Sequence, residues 1–391
     1  MNRTAMQVDI AIVGAGLAGA SLACALRGSR YKVALLERTP PVTAAGWDAR
    51  VYAIAPANVD FLRRCGVWDL LDTTRLQAIE RMDVHGDAGG RIDFSAYDCG
   101  MDALAWMAES SRLASELWET ARRQPNISVL CPTQLQSLSQ DADAVRLQLA
   151  DGREIAARLL IGADGANSWV RAQAGIAAET RPYAQHGVVA NFETTKPHFG
   201  TAWQWFRRDG VLAWLPLPGN RISIVWSTPE QHAQQLLAMS ADELCAAVAA
   251  AGQGTLGQLS LLTPAAAFPL RWMRVKEPVA PRLALIGDAA HAIHPLSGHG
   301  INLGFQDARM LADELLALPA IRDVGDVAVL RRYVRKRAEE VMLVQTVTDG
   351  LQKLFEPDSG PLGALRNLGM SVAGRLPVLR AAMVRYAAGL M

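Results

Sequence analysis

The 391-residue sequence lacks a strong excess of either charge. It has 39 Lys and Arg residues against 38 Asp and Glu residues, and this balance argues against nucleic-acid binding through bulk charge. Hydrophobic residues make up 50% and charged residues 20%, which is the composition of a folded protein rather than a disordered one. At roughly 100–200 residues per domain, the length predicts two domains or one large domain.

Paired cysteines and metal-binding motifs are also missing. The five cysteines are widely scattered and form no C-x-x-C pair; they are Cys24, Cys65, Cys99, Cys131 and Cys245. This pattern indicates neither a disulfide framework nor a zinc site, and it favours a reducing, cytosolic compartment. Because no H-E-x-x-H, paired-carboxylate or Ser/His/Asp pattern stands out, no metal dependence is expected.

No apolar run is long enough for a convincing membrane span. The uncharged stretch Ile10–Leu26 resembles a secretory signal or a short span, but it is shorter than the roughly 20 residues a span needs. Asp9 precedes it, and Gly14, Gly16 and Gly19 interrupt it. The stretch therefore predicts a strand that turns into a helix.

A βαβ unit is predicted near the N-terminus. Asp9–Val13 reads as a buried strand, Ala18–Arg27 as a helix, and Lys32–Leu36 as a second strand that ends at Glu37. The glycines between the first strand and the helix form the G-x-G-x-x-G pattern, which in this context indicates a dinucleotide site.

Each residue of this pattern has a physical role. Gly14 allows a tight turn, Gly16 lets backbone amides approach a pyrophosphate, and Gly19 lets helix and strand pack closely. The phosphates then lie at the helix N-terminus, where free N–H groups and the dipole favour negative charge. Glu37 lies 23 positions after Gly14 and is placed to accept hydrogen bonds from ribose hydroxyls.

Further strands follow along the chain. The alternation in Val145–Leu149 before Asp151-Gly152 predicts a hairpin, and a buried strand at Leu159–Ile161 runs into Gly162–Gly165. A third buried strand is expected at Leu283–Ile286. It leads into Gly287-Asp288 and, past a loop, into a helix from about Ile301 to Leu318.

A sheet of different character separates these elements. The segment Tyr183–Thr228 contains four tryptophans, Trp203, Trp205, Trp214 and Trp226, among short alternating runs, and it predicts an antiparallel sheet. The tryptophans either line an apolar substrate pocket or fill the core. Helical composition returns at Ala241–Ala251.

The C-terminal segment 360–391 has no acidic residue, four arginines and many apolar residues. It is interpreted either as helices packed on the body or as a basic, apolar surface that contacts a membrane or a partner protein.

The stretch Gly287–Asn302 points to FAD rather than to a nicotinamide nucleotide. A carboxylate directly after a buried strand, Asp288, is placed to hold a ribityl or ribose hydroxyl. The turn Gly298-His299-Gly300 leads into a helix N-terminus. Facing the pyrimidine edge of an isoalloxazine, such an N-terminus would stabilise the negative charge of reduced flavin.

These segments resemble the three cofactor motifs of single-component flavoprotein aromatic hydroxylases, the para-hydroxybenzoate hydroxylase fold. They are the glycine fingerprint, the Asp-Gly motif from Ala163 through Ser168 and Arg171, and the Gly-Asp motif. Within that group, residues 294–307 closely resemble the signature of the ubiquinone-biosynthesis hydroxylase family. Similarity continues over nearly the whole chain, at Asp48–Arg50, Ala53-Ile54, Gly66–Trp68, Glu109, Phe206, Gly210, Leu215-Pro216, Trp226-Ser227, Phe268–Leu270 and Arg366-Asn367.

The resemblance implies an α/β fold with a Rossmann-like FAD-binding domain, an inserted, mostly antiparallel β-sheet substrate domain and C-terminal helices. The FAD-binding domain would comprise 5–78, 100–180 and 270–350, the substrate domain 79–99 and 181–269, and the C-terminal helical segment 351–391. The implied cofactor-binding residues are Gly14, Gly16, Gly19, Glu37, Arg50, Asp164, Asp288, Pro295, Gly298, Gly300 and Asn302.

Two departures from the family pattern lie in the flavin loop. His299 stands where the family usually has Gln, and Ser297 stands where it has a smaller residue. Pro295, which would shape the flavin face, and His299 are the candidate catalytic residues, and no acid or base is assigned. His291 and His294 carry two interpretations, as proton carriers or as partners of local backbone groups.

The activity that the resemblance implies is hydroxylation of a polyprenylated phenol or quinol of ubiquinone synthesis through a C4a-hydroperoxyflavin. O2 would be the second substrate, and NAD(P)H or another reductant the electron donor. A flavin halogenase would need Trp-x-Trp-x-Ile-Pro and is excluded because Trp203-Gln-Trp205 continues as Phe-Arg-Arg. Two alternatives stay open: a flavin-dependent reductase of the same fold, and a flavin-binding, non-catalytic subunit of a quinone-biosynthesis assembly. Contacts with other ubiquinone-biosynthesis proteins, with a membrane through the C-terminal segment, or with further copies of the chain also stay open.

Overall fold

The computed structural model of the protein describes residues 5–87, 89–293 and 299–354. Its strands are β1 Met6–Val13, β2 Val33–Leu36, β3 Val51–Ile54, β4 Gln77–Ile79, β5 Arg81–His85, β6 Arg91–Ser95, β7 Ala105–Glu109, β8 Ile127–Leu130, β9 Leu135–Gln140, β10 Val145–Leu149, β11 Glu154–Gly162, β12 Glu179–Thr194, β13 Thr201–Arg207, β14 Gly210–Leu217, β15 Arg221–Pro229, β16 Leu259–Leu261, β17 Ala266–Arg274, β18 Val279–Ala280, β19 Leu283–Leu285 and β20 His291–Ala292. Its α-helices are α1 Leu17–Ala25, α2 Pro56–Arg64, α3 Ser110–Arg122, α4 Trp169–Gln173, α5 Glu230–Ala238, α6 Ala241–Ala251, α7 His299–Leu316 and α8 Val327–Leu354. Short 3₁₀ turns lie at Trp68–Leu70, Thr73–Arg75, Tyr97–Cys99 and Gly287–Ala289.

The strand order of the first sheet is β18-β19-β11-β1-β2-β8, and β10 and β9 extend it beside β11. Strands β8, β2, β1, β11 and β19 are parallel, and β18 runs antiparallel to β19. The parallel strands are apolar because other elements cover both of their faces. One face packs on α1, α3 and α7 in the largest hydrophobic core, which includes Ile10, Leu22, Leu117 and Phe305. This sheet confirms the βαβ unit expected from the sequence.

The second sheet has the order β20-β17-β12-β15-β14-β13-β5-β6, with β16 beside β12. All its pairings are antiparallel except that of β13 with β5. One face packs on α5 and α6. The core there contains Trp205, Trp214 and Trp226, each no more than 3% exposed. These three tryptophans therefore fill the core, and the half-buried Trp203 packs against it.

A third, three-stranded sheet in the order β3-β7-β4 lies between the other two. Val51, Ile79 and Met107 from this sheet form a small core with Ala202 and Leu217 of the second sheet. The opposite face of the second sheet is thus joined to the region around β3, while its tryptophan face is turned towards the helices.

Most predicted elements are confirmed, with small shifts. The hairpin pairs β10 with β11 antiparallel, and the helix predicted to begin at Ile301 and end at Leu318 runs over His299–Leu316. Ranges 79–99 and 181–269 contribute strands to the second sheet, but β17 continues across residue 270 to Arg274. The partition into domains stays a prediction.

The C-terminal prediction lies almost entirely outside the described residues. Helix α8 continues to Leu354, so it passes the expected boundary at 351, and residues 355–391 are not described. Among the described helices, none combines the length and the apolarity that crossing a bilayer requires.

Candidate active site

The carboxyl ends of four parallel strands meet at one edge of the first sheet. Leu36, Val13, Gly162 and Leu285 lie side by side in register, so at about 4.8 Å per strand the row spans roughly 15 Å. Directly after these residues come Glu37, Gly14, Ala163-Asp164 and, past Ile286, Gly287-Asp288. The edge therefore brings together the three motifs that the sequence separates, as ligand sites of open α/β sheets require.

The three fingerprint glycines serve different purposes. A Cβ at Gly14, whose φ is +99°, would lie 2.4 Å from the carbonyl oxygen of Ala163, and a Cβ at Gly19 would lie 2.0 Å from that of Gly14. A Cβ at Gly16 would meet no atom within 4 Å. Gly14 and Gly19 are thus required by backbone packing, whereas Gly16 faces open space at the start of α1.

Helix α1 offers an unsatisfied N-terminus at this point. Gly16 is its N-cap; no side chain caps it, and its first turn has no acidic residue. The free N–H groups and the helix dipole there suit the negative charge of a pyrophosphate. The open space at Gly16 would allow the phosphate oxygens of a bound dinucleotide to reach these groups.

Glu37 is held in place beside the glycine turn. One carboxylate oxygen accepts a hydrogen bond from the Ala15 amide at 2.6 Å, and the other accepts one from the Arg38 amide at 2.7 Å. Each carboxylate oxygen has a second lone pair. Glu37 therefore keeps the capacity to accept from ribose hydroxyls, and its contact with a ribose stays a prediction.

Asp164 organises the turn that carries it. Its carboxylate accepts hydrogen bonds from the Ser168 hydroxyl and from the Val170 amide, the latter at 3.0 Å. A Cβ on Gly14 would lie 2.9 Å from the Cα of Asp164, so the Asp-Gly motif directly adjoins the fingerprint. The side-chain bonds indicate a role in shaping this turn, and contact with cofactor phosphates stays a prediction.

Arg171 links the Asp-Gly motif to the Gly-Asp motif. Its guanidinium donates to the carbonyl of Ala289 at 2.8 Å and to that of Ala166 at 2.9 Å. Burial lowers the pKa of Arg171, and the charge of Asp164 partly offsets this effect. The two motifs are thus fastened together by one cation.

Asp288 is exposed to solvent, although many protein atoms lie around its carboxylate. Burial raises its pKa, and the charges of His291, Arg271 and Arg50 partly offset the rise. The same neighbourhood includes Tyr52, a half-buried residue whose pKa burial raises and on which the charges of Arg50 and Asp288 act. Tyr52 was missed by the sequence reasoning because nothing in strand β3 marks it.

Asp307 is a second missed residue. It is 1% exposed and accepts hydrogen bonds from the Gly287 amide, His291 Nε2 and Arg337 Nε at 2.9, 2.6 and 2.7 Å. Burial alone would raise the pKa of Asp307, but the charges and hydrogen bonds of His291 and Arg337 outweigh it and lower the pKa to about 2. Asp307 is the last residue of the stretch 294–307 that resembles the family signature, so that resemblance could have identified it. No local sequence feature marks Arg337.

The loop that carries Arg50 is held by two carboxylates, the half-buried Asp48 and the buried Glu109. The Arg50 amide donates to Asp48 Oδ1 at 2.8 Å, and the Asp48 amide donates to Glu109 Oε1 at 2.8 Å. Glu109 is 2% exposed and receives two hydrogen bonds from Arg75, at 2.7 and 2.8 Å. The Arg50 side chain is exposed and stays a predicted flavin contact.

Asn302 ties helix α7 to its neighbours. Its side chain accepts from the Ala55 amide and from Asn58 Nδ2 and donates to the Ala53 carbonyl, each at 2.8 Å. The side chain is thus committed to strand β3 and helix α2, so a contact of Asn302 with the pyrimidine ring, which stays a prediction, would come from its backbone.

The flavin loop is only partly described. Helix α7 begins at His299, and a Cβ at Gly300 would meet no atom within 4 Å. Pro295, Gly298 and His294 lie outside the described residues, as does the side chain of His299. Their predicted roles stay predictions.

Comparison with known proteins agrees with this geometry. The family model named FAD binding domain matches residues 7–348. The chain belongs to this FAD-binding family. It is 34% identical over 391 residues to 3-demethoxyubiquinol 3-hydroxylase of Escherichia coli K12, covering 99% of this chain and 100% of the relative. It is also 34% identical over 384 residues to ubiquinone hydroxylase UbiL of Rhodospirillum rubrum, covering 97% and 89%.

A solved structure shares the fold. The p-nitrophenol 4-monooxygenase PnpA from Pseudomonas putida DLL-E4 superposes with a TM-score of 0.79 at 19% identity, covering 97% of each chain. The predicted fold class and membership of the ubiquinone-biosynthesis FAD-dependent hydroxylases are confirmed. FAD as the cofactor of a flavoprotein monooxygenase is confirmed with them. The residues that would hold FAD fit it: the uncapped α1 N-terminus and Gly16 suit its pyrophosphate, and Glu37 and Asp288 suit its hydroxyls.

Proposed function

We propose that this chain hydroxylates the aromatic ring of a polyprenylated phenol or quinol intermediate of ubiquinone biosynthesis, with O2 as co-substrate. The relatives named above support the substrate class, because their names are those of ubiquinone hydroxylases. The structural support is an apolar sheet face that adjoins the convergence of the three cofactor motifs.

That face is the side of the second sheet turned away from the tryptophan core. Val189, Val225, Ala213 and Gln204 form one row across strands β12, β15, β14 and β13. The first three are half-buried, whereas their chain neighbours Val188, Ile224 and Leu212 are fully buried on the other face. Val189, Val225 and Ala213 form the apolar part of this row, here called the apolar row, and such a half-buried surface is suited to contact an aromatic ring.

The row lies next to the loop that carries Arg50. Asn191, two residues along β12 on the same face, donates from Nδ2 to the Asp48 carbonyl at 2.8 Å. The charge of Arg50 in turn acts on Asp288. These links support a substrate region bordered by the apolar row and the cofactor edge, in which a ring held on the row would face the cofactor.

The protein groups have three tasks in this arrangement. When bound, reduced FAD would supply the oxygen activation. The apolar row would orient the ring and exclude water, which would otherwise divert oxygen to peroxide. The backbone N–H groups of α1 would hold the pyrophosphate. NAD(P)H or another reductant is the proposed electron donor.

Two measurements test the function. A strain that lacks this protein should accumulate a polyprenylated phenol or quinol with one hydroxyl too few; normal ubiquinone without such a compound would contradict the proposal. Purified protein supplied with this phenol or quinol, FAD, a reductant and ¹⁸O2 should place one labelled oxygen in the product. Turnover without oxygen would instead identify a reductase, and FAD binding without turnover in either assay would identify a non-catalytic subunit.

A bulky side chain in the row tests the substrate wall. Ala213→Trp should keep the affinity for FAD within about twofold of wild type. It should lower kcat/KM for hydroxylation at least about tenfold, because the added ring occupies the space of the substrate. Ala238→Trp, on the exposed surface of α5, is the matched control and should behave as wild type. Equal activities of the two variants would remove this row from the substrate site.

A further inference from the structure

The buried carboxylate of Asp307 divides its two oxygens between two groups of partners. Oδ2 accepts from the Gly287 amide and from His291 Nε2, and Oδ1 accepts from Arg337 Nε. Gly287 and His291 are the two ends of the turn that contains Asp288. Asp307 Oδ2, on helix α7, therefore accepts hydrogen bonds from both ends of the Gly-Asp turn.

Arg337 serves as the counter-ion. It lies on helix α8 and is 3% exposed. Its guanidinium also donates to Glu340 on the same helix and to the carbonyl of Leu303 on helix α7. A carboxylate as deeply buried as Asp307 needs a charged partner. Because Arg337 contacts only the other oxygen, neutralising the charge and holding the turn are separate tasks.

The turn itself has no alternative anchor of this kind among its described side-chain contacts. Gly287 has a φ of +58°, and Arg171 holds the Ala289 carbonyl from the opposite side. Without an acceptor at position 307, the Gly287 amide and His291 would be buried donors with no partner. The turn would then shift, and Asp288 would shift with it.

We propose that Asp307 is a positioning residue for FAD: its Oδ2 acts as the acceptor that fixes the Gly287–His291 turn and so aims Asp288 at the cofactor. The charge of Asp307 is not the functional property in this arrangement. What the turn requires is one oxygen acceptor at this place.

Two nearly isosteric double variants separate acceptor from charge. In Asp307→Asn/Arg337→Met, the amide oxygen still accepts from the turn, and its NH₂ group meets no opposing donor. In Asp307→Leu/Arg337→Met, the acceptor is gone. Both variants lack the ion pair, and apolar replacement of a buried ion pair is often tolerated in stability. The variants therefore differ mainly in the grip on the turn.

FAD release from the holoenzyme, followed by the rise in flavin fluorescence on dilution, is the measurement. The Asn variant should release FAD within about threefold of wild type, and the Leu variant roughly ten- to a hundredfold faster. The visible circular dichroism of FAD-saturated protein should change in the Leu variant alone. Thermal unfolding is compared at a fixed ratio of free FAD to dissociation constant, so that ligand linkage contributes equally.

Equal release rates and equal flavin spectra in the two variants would overturn the proposal, and so would a Leu variant that differs from the Asn variant only in stability. Should the Leu variant fail to fold, the Asn variant decides by itself. Release within about threefold of wild type with an unchanged flavin spectrum supports the acceptor role, and tenfold faster release overturns it.

Discussion

Two corners of the cofactor edge are built in different ways. At Gly14, the corner is made by backbone alone: the glycine turn lies against Ala163 so closely that no Cβ fits. At Gly287, the corner is held by side chains that come from α7 and α8, 20 and 50 residues further along the chain. The first depends on the absence of atoms, which a short motif can encode, and the second on a distant acceptor oxygen and its counter-ion, which only folding brings together.

The strongest test of this contrast is a methyl group at the backbone corner. Gly14→Ala combines a positive φ with a contact of 2.4 Å to the Ala163 oxygen, so it should lower the free energy of unfolding by about 4 kcal/mol. Urea unfolding measures the change. Gly16→Ala is the matched control, because its Cβ meets no atom. This variant should keep the fold and weaken the binding of FAD. Equal losses of stability in both variants would refute the division of roles.

Removing the side-chain hydrogen bonds of Asn302 should lower the free energy of unfolding somewhat less than Gly14→Ala does. Asn302→Ala strands the Ala55 amide, the Ala53 carbonyl and the Asn58 side chain in the interior, so the free energy of unfolding should fall by about 3 kcal/mol. Denaturant unfolding checks the loss. If the FAD-saturated variant keeps the wild-type flavin spectrum, the side chain is structural; a changed spectrum with unchanged stability would assign it to the cofactor instead.

The charged corner should also have a pH signature. The pKa of Asp307 is lowered to about 2 in the fold, below its ordinary value, so its contribution to stability is present above about pH 4 and disappears as the pH falls towards 2. The difference in unfolding free energy between wild type and Asp307→Asn should therefore shrink by about 2 kcal/mol from pH 5 to pH 2. A difference that is constant over this range would contradict the assignment.

The smallest expected effect concerns Glu37, which lies beside the backbone corner. Glu37→Gln keeps one acceptor oxygen for the Ala15 amide but loses the charge that favours ribose hydroxyls, so FAD affinity should fall about fivefold. Fluorescence titration with FAD measures it. Thermal stability at saturating FAD should stay within about 0.5 kcal/mol. An unchanged affinity would remove Glu37 from the ribose site.

Much of the cofactor half could be predicted because its signals are local. The buried strands, the glycine turn and the hairpin at β10 and β11 each depend on neighbours within a few residues, and all are confirmed. The parallel pairing of β13 with β5 and the passage of β17 across residue 270 were not predicted. Strand pairing over such separations leaves no periodic trace in either strand.

The tryptophans show the same limit. Their alternation predicted a sheet correctly, but alternation alone does not tell which face meets helices and which faces the cofactor. The structure places Trp205, Trp214 and Trp226 against α5 and α6, so the proposed substrate wall falls to the smaller residues Val189, Ala213 and Val225.

The glycine fingerprint, the acidic residue after the second strand and the Gly-Asp turn could be predicted from the residues alone, because each is a short stretch with its own steric or electrostatic requirement. The folded chain was needed to show that Leu36, Val13, Gly162 and Leu285 lie in one row, and that Asp307 and Arg337 pair next to the turn that carries Asp288. Such meetings depend on how strands and helices pack, and packing is a property of the whole fold.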